Sequence, residues 1–218
     1  MTAVRPEPAV LAGRFVRLEP FSPEHLPGLF TALWHPEVFA GGYGGGPAGQ
    51  PRDREAFDAW ASSYGIGPDN LRFVVRLVGG PHDGDIVGAS TLGDLDEERE
   101  HAHIGWTGYD PRVWATQVNP ETKLLMLGLA FSRGYGRVKL QADERNARSR
   151  GAMLKLGAQF EGIVRRDVRR ADGTWRDSAV YSILIDEWPA VKAGLEARLA
   201  AYGERPVLFH TPPVIPGA

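Results

Sequence analysis

The sequence predicts a mixed α/β domain, with about seven strands in one sheet and helices on its flanks. Three observations carry this expectation. Pairs of apolar runs surround glycine-containing turns at Leu71–Leu92 and again at Phe160–Ile185, as hairpins do. Between those pairs, strand and helix patterns alternate, so the sheet is mixed and not doubly wound. The composition, 43% hydrophobic and 24% charged over 218 residues, suits one domain that holds its own core without staples.

Taken in order, Arg14–Leu18 alternates and reads as the first strand. Ser22-Pro23-Glu24 opens a helix, with serine as cap and proline at the first helical position. Leu26, Leu29, Phe30 and Leu33 keep its period. The stretch Gly41-Gly42-Tyr43-Gly44-Gly45-Gly46-Pro47 is either a mobile loop over a substrate site or a plain connector. Arg54–Tyr64 reads as a second helix, with Phe57 and Trp60 on one side. Leu71–Val78 and Ile86–Leu92 are strands joined by the Gly79–Asp85 turn. An acidic loop, Asp94–Glu100, leads into the strand Ala102–Tyr109. Gly105 and Gly108 interrupt that strand, which predicts a bulge or a close approach to the backbone.

Pro120–Phe131 is apolar nearly all round and is predicted to be buried. A short strand, Val138–Ala142, follows. The next helix, Asn146–Leu156, has asparagine as cap and Gly157 at its end. Phe160–Arg169 and Ala179–Ile185 are long strands around Asp172-Gly173, and Glu187–Tyr202 is an amphipathic closing helix. Residues 1–203 form the predicted domain; 204–218 form a proline-rich tail, extended or loose.

Several classes of function drop out. There is no cysteine, so disulfides, thiolate metal sites and a cysteine nucleophile are excluded. A net charge of -2 provides no global field for nucleic acid or an anionic membrane. The first residues lack the apolar run of a signal peptide, and no run nears the roughly 18–20 apolar residues of a spanning helix. The cytoplasm is the expected location. Oligomeric state is not legible, although a homodimer is the commonest assembly.

The candidate site is the junction between the Ala102–Tyr109 strand and the Pro120 helix. A helix opening presents unpaired N–H groups and the positive end of its dipole, which suit a phosphate or diphosphate. The plain alternative is a strand–helix connection capped by Asn119. His101 and His103 share one strand face and titrate in the range of a base; each is equally a surface residue, and no third ligand makes them a metal pair. Glu100 and Asp167 are further candidates for the base. Arg145, Arg148 and Arg150 either meet phosphates or form a solvated basic face. The five acidic residues of Asp94–Glu100 either attract a cationic amine or are a solvated hairpin loop.

Ile104-Gly105-Trp106, Asp110-Pro111, Trp114 and Glu121, taken in that order, are similar to the acyl-CoA-binding segment of GNAT acyltransferases. Asn146-Ala147-Arg148-Ser149 and Lys155-Leu156-Gly157 resemble the Asn-x-x-Ser helix of the Rim-type N-terminal acetyltransferases. Glu161-Gly162, Asp172-Gly173, Arg176-Asp177, Tyr181 and Leu18-Glu19-Pro20 extend the resemblance over roughly Leu11–Leu199. It implies a mostly antiparallel sheet splayed between the fourth and fifth strands. It also implies an acetyl-CoA or other acyl-CoA cosubstrate, no metal, and a small-molecule or peptide amine as acceptor. The cofactor residues it implies are Ile104, Gly105, Trp106, Trp114, Ala115, Thr116, Gln117, Val118, Asn119, Asn146, Ser149, Arg150 and Met153. Two departures stand out. The diphosphate loop has Gln117 where the family has its central glycine, and Met153 stands where many members place a proton-donating tyrosine. Ser149 is then the candidate proton donor, with His101 and His103 as candidate bases. Succinyl transfer is a variant of this reading if arginines line the acyl pocket. A CoA-binding module without catalysis is the competing one.

Overall fold

The computed structural model describes residues 2–211. The elements in chain order are β1 (Leu11–Ala12), β2 (Val16–Pro20), α1 (Leu26–Leu33), α2 (Pro36–Ala40), α3 (Arg54–Ala61), β3 (Leu71–Leu77), β4 (Ile86–Asp96), β5 (His101–Tyr109), α4 (Val118–Ser132), β6 (Arg137–Asp143), α5 (Ala147–Leu156), β7 (Gln159–Arg169), β8 (Trp175–Leu184) and α6 (Trp188–Ala200). All seven predicted strands form. The eighth, β1, has two residues, too few to show a period. The five-residue α2 escapes sequence reading for the same reason. No helix among the described residues is long and apolar enough to cross a membrane.

The strands make one sheet in the order β1-β2-β3-β4-β5-β6-β8-β7. Helices cover both faces over much of it. Phe73, Val75 and Leu77 of β3 join the core shared with Met126, Leu127, Tyr135 and Ile183. Val74, between them, points to the other face and packs with Leu29, Leu33, Phe39 and Phe57. A strand covered on both faces keeps apolar side chains on both, which is why Phe73, Val74 and Val75 run together at the centre of β3; Arg72 and Arg76, on the Val74 face, are held by the Ala61 carbonyl and by Glu19.

Every neighbouring pair is antiparallel except β5 and β6. Those two run parallel and pair only at His101↔Arg137, Ala102↔Val138 and His103↔Lys139. Beyond His103 they part. β5 and β6 are the fourth and fifth of the predicted strands, so the fork lies where the resemblance puts it.

The glycines of β5 mark a bulge. Ala89 faces Gly108 and Thr91 faces Gly105, so Trp106 and Thr107 together oppose Ser90. Trp106 takes a φ of 48° there. Both glycines also admit close neighbours. A Cβ on Gly105 would come within 2.6 Å of the His103 ring, and one on Gly108 within 2.8 Å of Tyr43.

Two expectations about α4 are corrected. The helix starts at Val118, with Gln117 as its cap, so Asn119 is not the cap and Pro120 is not the first helical residue. Its first two turns are largely buried, as predicted, yet with polar side chains among them: Glu121, Thr122 and Lys123. Glu121 accepts the backbone N–H groups of Arg14, Phe15 and Val16 at 2.9, 2.6 and 2.7 Å, which locks the β1–β2 turn to the helix opening.

Candidate active site

The fork between β5 and β6 is a cleft of two chambers. The first, of about 250 Å³, lies between Ile104–Tyr109 of β5 and Leu140–Asp143 of β6. The second, of about 680 Å³, lies between the glycine stretch after α2, the start of α5 and the β7–β8 turn. Gly41, Gly42, Asp143, Asn146 and Arg148 border both. Asn146 fixes this border. Its Oδ1 caps α5 by accepting the Ser149 N–H at 3.0 Å, and its Nδ2 donates to the Gly41 carbonyl at 2.6 Å. The glycine stretch is therefore a wall of the cleft. It folds into two tight turns, and Ala171 of the β7–β8 turn donates to its Gly45 carbonyl at 3.1 Å.

The opening of α4 forms one rim. Among the described residues, the backbone amides of Ala115, Gln117 and Asn119 have no acceptor. The left-handed residue of this loop is Ala115, at φ 62°, and not Gln117, which has an ordinary helical φ of -66°. Glutamine at the glycine position thus costs no strain. Its side chain is 5% exposed and points away from the cleft, donating to the Arg205 carbonyl at 3.2 Å. Residues after α6 back the loop further. Val207 is buried, His210 Nε2 donates to the Trp114 carbonyl at 2.7 Å, and the Arg112 guanidinium lies 4.1 Å over the Phe209 ring.

The cleft gathers most of the sequence-predicted residues. Ile104, Gly105, Trp106, Trp114, Ala115, Asn119, Asn146, Ser149 and Met153 all line it. Others do not. The Thr116 hydroxyl donates to the Val113 carbonyl at 2.6 Å, and the Val118 side chain is in the core. Arg150 is turned to the Tyr181 hydroxyl at 3.1 Å and the Glu144 carbonyl at 3.1 Å. His101 and His103 lie below the fork, where β5 and β6 are still paired, and neither lines the cleft. His103 is buried with Nδ1 2.9 Å from Asp94; burial lowers its pKa against the pull of that carboxylate. Asp167 pairs with Arg176 at 3.9 Å, and the Glu100 carbonyl accepts from Gly136 and Arg137. No group of three or more histidines and carboxylates fit for a metal occurs among the described residues.

Among the lining residues that were not predicted site residues, Lys123, Tyr43 and Arg176 bear on the chemistry. Lys123 is buried without a carboxylate partner, donating to Thr107 Oγ1 at 2.8 Å and Ser90 Oγ at 3.1 Å. The sequence signal was a polar run, Glu121-Thr122-Lys123, just before the apolar stretch Leu124–Phe131. Tyr43 has a buried hydroxyl with no partner among the described residues, and burial pushes its pKa up, so it stays protonated. Arg176 reaches the first chamber from β8. Lys123, Arg145, Arg148, Arg170 and Arg176 line the two chambers against only two carboxylates, Asp143 and Asp172.

Comparison with known proteins agrees with this geometry. The family model described as an acetyltransferase (GNAT) domain matches residues 16–159. No curated protein matches the chain. Among solved structures, a T. thermophilus protein assigned as an acetyltransferase is 34% identical, with a TM-score of 0.79 over 90% of this chain and 100% of that one. A GCN5-related N-acetyltransferase from Brucella melitensis is 28% identical, with a TM-score of 0.82 over 91% of this chain and 88% of that one. Mycobacterium smegmatis RimJ, solved with CoA-disulfide, shares the fold at 21% identity, with a TM-score of 0.64 over 87% of this chain and 91% of that one.

Proposed function

The chain belongs to the GNAT acetyltransferase family, and on that premise we propose that it is an acyl-CoA-dependent N-acyltransferase. It moves an acetyl or similar short acyl group onto a primary amine by direct attack. The observation that carries this reading is the fork: a bulged strand edge and a helix opening with unpaired amides meet in one cleft. The cleft fits such a cosubstrate on a second count. The buried Tyr43 hydroxyl is without a partner, at a cost of roughly 1–3 kcal/mol that a ligand's polar group removes.

Placement in the cleft supports each proposed role. The amides of Ala115, Gln117 and Asn119 hold the diphosphate at the positive end of the α4 dipole. Backbone N–H groups at Ile104–Trp106 polarise the thioester carbonyl. The amine nitrogen attacks the carbonyl carbon, the C–N bond forms, and the C–S bond breaks with its electron pair leaving on sulfur. Ser149, on the opposite wall, gives the thiolate its proton and recovers one, through water, from the amine. Holding both reactants in one cleft supplies much of the remaining rate.

Thermal shifts with acetyl-CoA, succinyl-CoA, free CoA and ATP test the binding, and thiol release with an amine panel tests the transfer. A shift with CoA compounds alone, plus amine-dependent thiol release, supports the enzyme. One observation favours a second reading, a CoA-binding module without turnover: Met153 lines the cleft at the family's tyrosine position. A CoA shift with no thiol release from any amine would select it.

A further inference from the structure

We propose that the acceptor amine carries an acidic group, a carboxylate or a phosphate, and that the second chamber holds that group on Arg145 and Arg148. This rests on the transfer reaction proposed above and names the chemical class of its acceptor.

The charges of the cleft are unequally matched. Asp143 is held by Arg170 at 2.5 Å, and both are largely buried. Asp172 accepts the Thr174 hydroxyl at 2.7 Å and its N–H at 2.9 Å. Both carboxylates of the cleft are thus engaged within the protein. Arg145 and Arg148 are exposed, and neither side chain has an ion pair or hydrogen-bond partner among the described residues. The Arg148 guanidinium lies 3.3 Å over the Trp114 ring, at the joint of the two chambers. Stacking of this kind orients a guanidinium and leaves its N–H edge for an oxyanion.

The acidic run Asp94–Glu100, which the sequence reads as a loop but whose first three residues end β4, does not balance these cations. It lies off the cleft, with Asp94 on His103, Asp96 on Arg99 and Glu97 on Arg5. A polyamine would therefore enter a cleft of like charge and meet no free carboxylate. The second chamber also includes none of residues 114–119, so a diphosphate at the α4 opening leaves it free. A cationic wall has a kinetic consequence as well. It disfavours an ammonium and so releases the lone pair that attacks.

The test uses matched acceptors with saturating acetyl-CoA: O-phosphoethanolamine against ethanolamine, tyrosine against tyramine, and spermidine as the polycation. Calorimetric titration of each into the CoA-loaded protein gives a readout that needs no turnover. The expected result is a preference of on the order of tenfold or more for the acid-bearing member, in kcat/KM and in Kd. Arg145→Ala and the Arg145→Ala/Arg148→Ala pair should lose it in that order, with the Kd for CoA moving less than about threefold. Preference for the phosphate or for the carboxylate member identifies the acidic group. Equal use of both members, a preference for spermidine, or a preference that survives in the double variant overturns the proposal. So does a CoA affinity that collapses in the double variant, which would assign both arginines to the donor. Selective binding of acid-bearing amines without thiol release would instead overturn the transfer reaction and keep the anion site.

Discussion

Lys123 Nζ lies 2.8 Å from Thr107 Oγ1 and 3.1 Å from Ser90 Oγ, so one side chain of α4 spans both strands at the β5 bulge. The two hydroxyls are themselves 2.7 Å apart. Burial without a carboxylate lowers the Lys123 pKa to about 7. The unfolded chain then binds more protons than the native one between about pH 7 and the ordinary lysine value, so this residue makes stability rise with pH across that window. Lys123→Met should flatten the rise and be the more stable protein at pH 7. It should also lower kcat about tenfold, because the bulge loses its pin, while the Kd for CoA stays within about threefold. Denaturant melts from pH 6 to 10 and a pH–rate profile check both; a wild-type profile with no inflection near pH 7 would separate Lys123 from the chemistry.

Gln117 uses its side chain for the tail and its backbone for the loop. Gln117→Ala should cost about 1 kcal/mol of stability, the worth of one partly buried hydrogen bond, and leave CoA affinity within about threefold. A large loss of affinity would make the amide side chain, and not the backbone, the ligand for the diphosphate.

Glu121 accepts three backbone N–H groups in the core. Glu121→Ala strands all three and should cost about 3 kcal/mol or more, read as a fall in Tm of roughly 10 °C. Glu121→Gln keeps one acceptor oxygen and should fall between the two. A Tm unchanged in Glu121→Ala would mean that water replaces the carboxylate.

Ser149 faces the cleft from the first turn of α5, and no side-chain bond holds its hydroxyl among the described residues. Ser149→Ala should lower kcat by about tenfold to a hundredfold with little change in the Kd for CoA. Unchanged turnover would remove it from proton delivery and leave Tyr43, a cleft tyrosine whose hydroxyl has no partner among the described residues, as the next residue to change to phenylalanine.

Much of the frame was legible because local chemistry and tertiary structure agree in it. The start and end of α5 follow from Asn146 and Gly157, whose cap roles depend on the backbone alone. The β5 bulge follows from two glycines in one strand. What stayed hidden depends on contacts distant in sequence. Asn119-Pro120 imitates a cap and first turn, yet α4 begins earlier because Thr116 and the Arg205 carbonyl organise the residues before it. His103 has the spacing of a base, but its neighbour Asp94 and the paired start of β6 take it out of reach. Lys123 owes its position to hydroxyls on two other strands, which no helical period reveals.

The strand order also constrains synthesis. β8 lies between β6 and β7, although it follows both in the chain. Until residues 175–184 have left the ribosome, the edge of β6 away from the fork is bare from Arg137 to Asp143, and β7 has no partner at all. Strands β1 to β5 can pair in chain order as they emerge, whereas this wall waits for one late insertion. Ligand-binding competence therefore matures as nearly the last event of a nascent chain, and release of a polypeptide stalled before Trp175 leaves two sticky edges for a chaperone to shield.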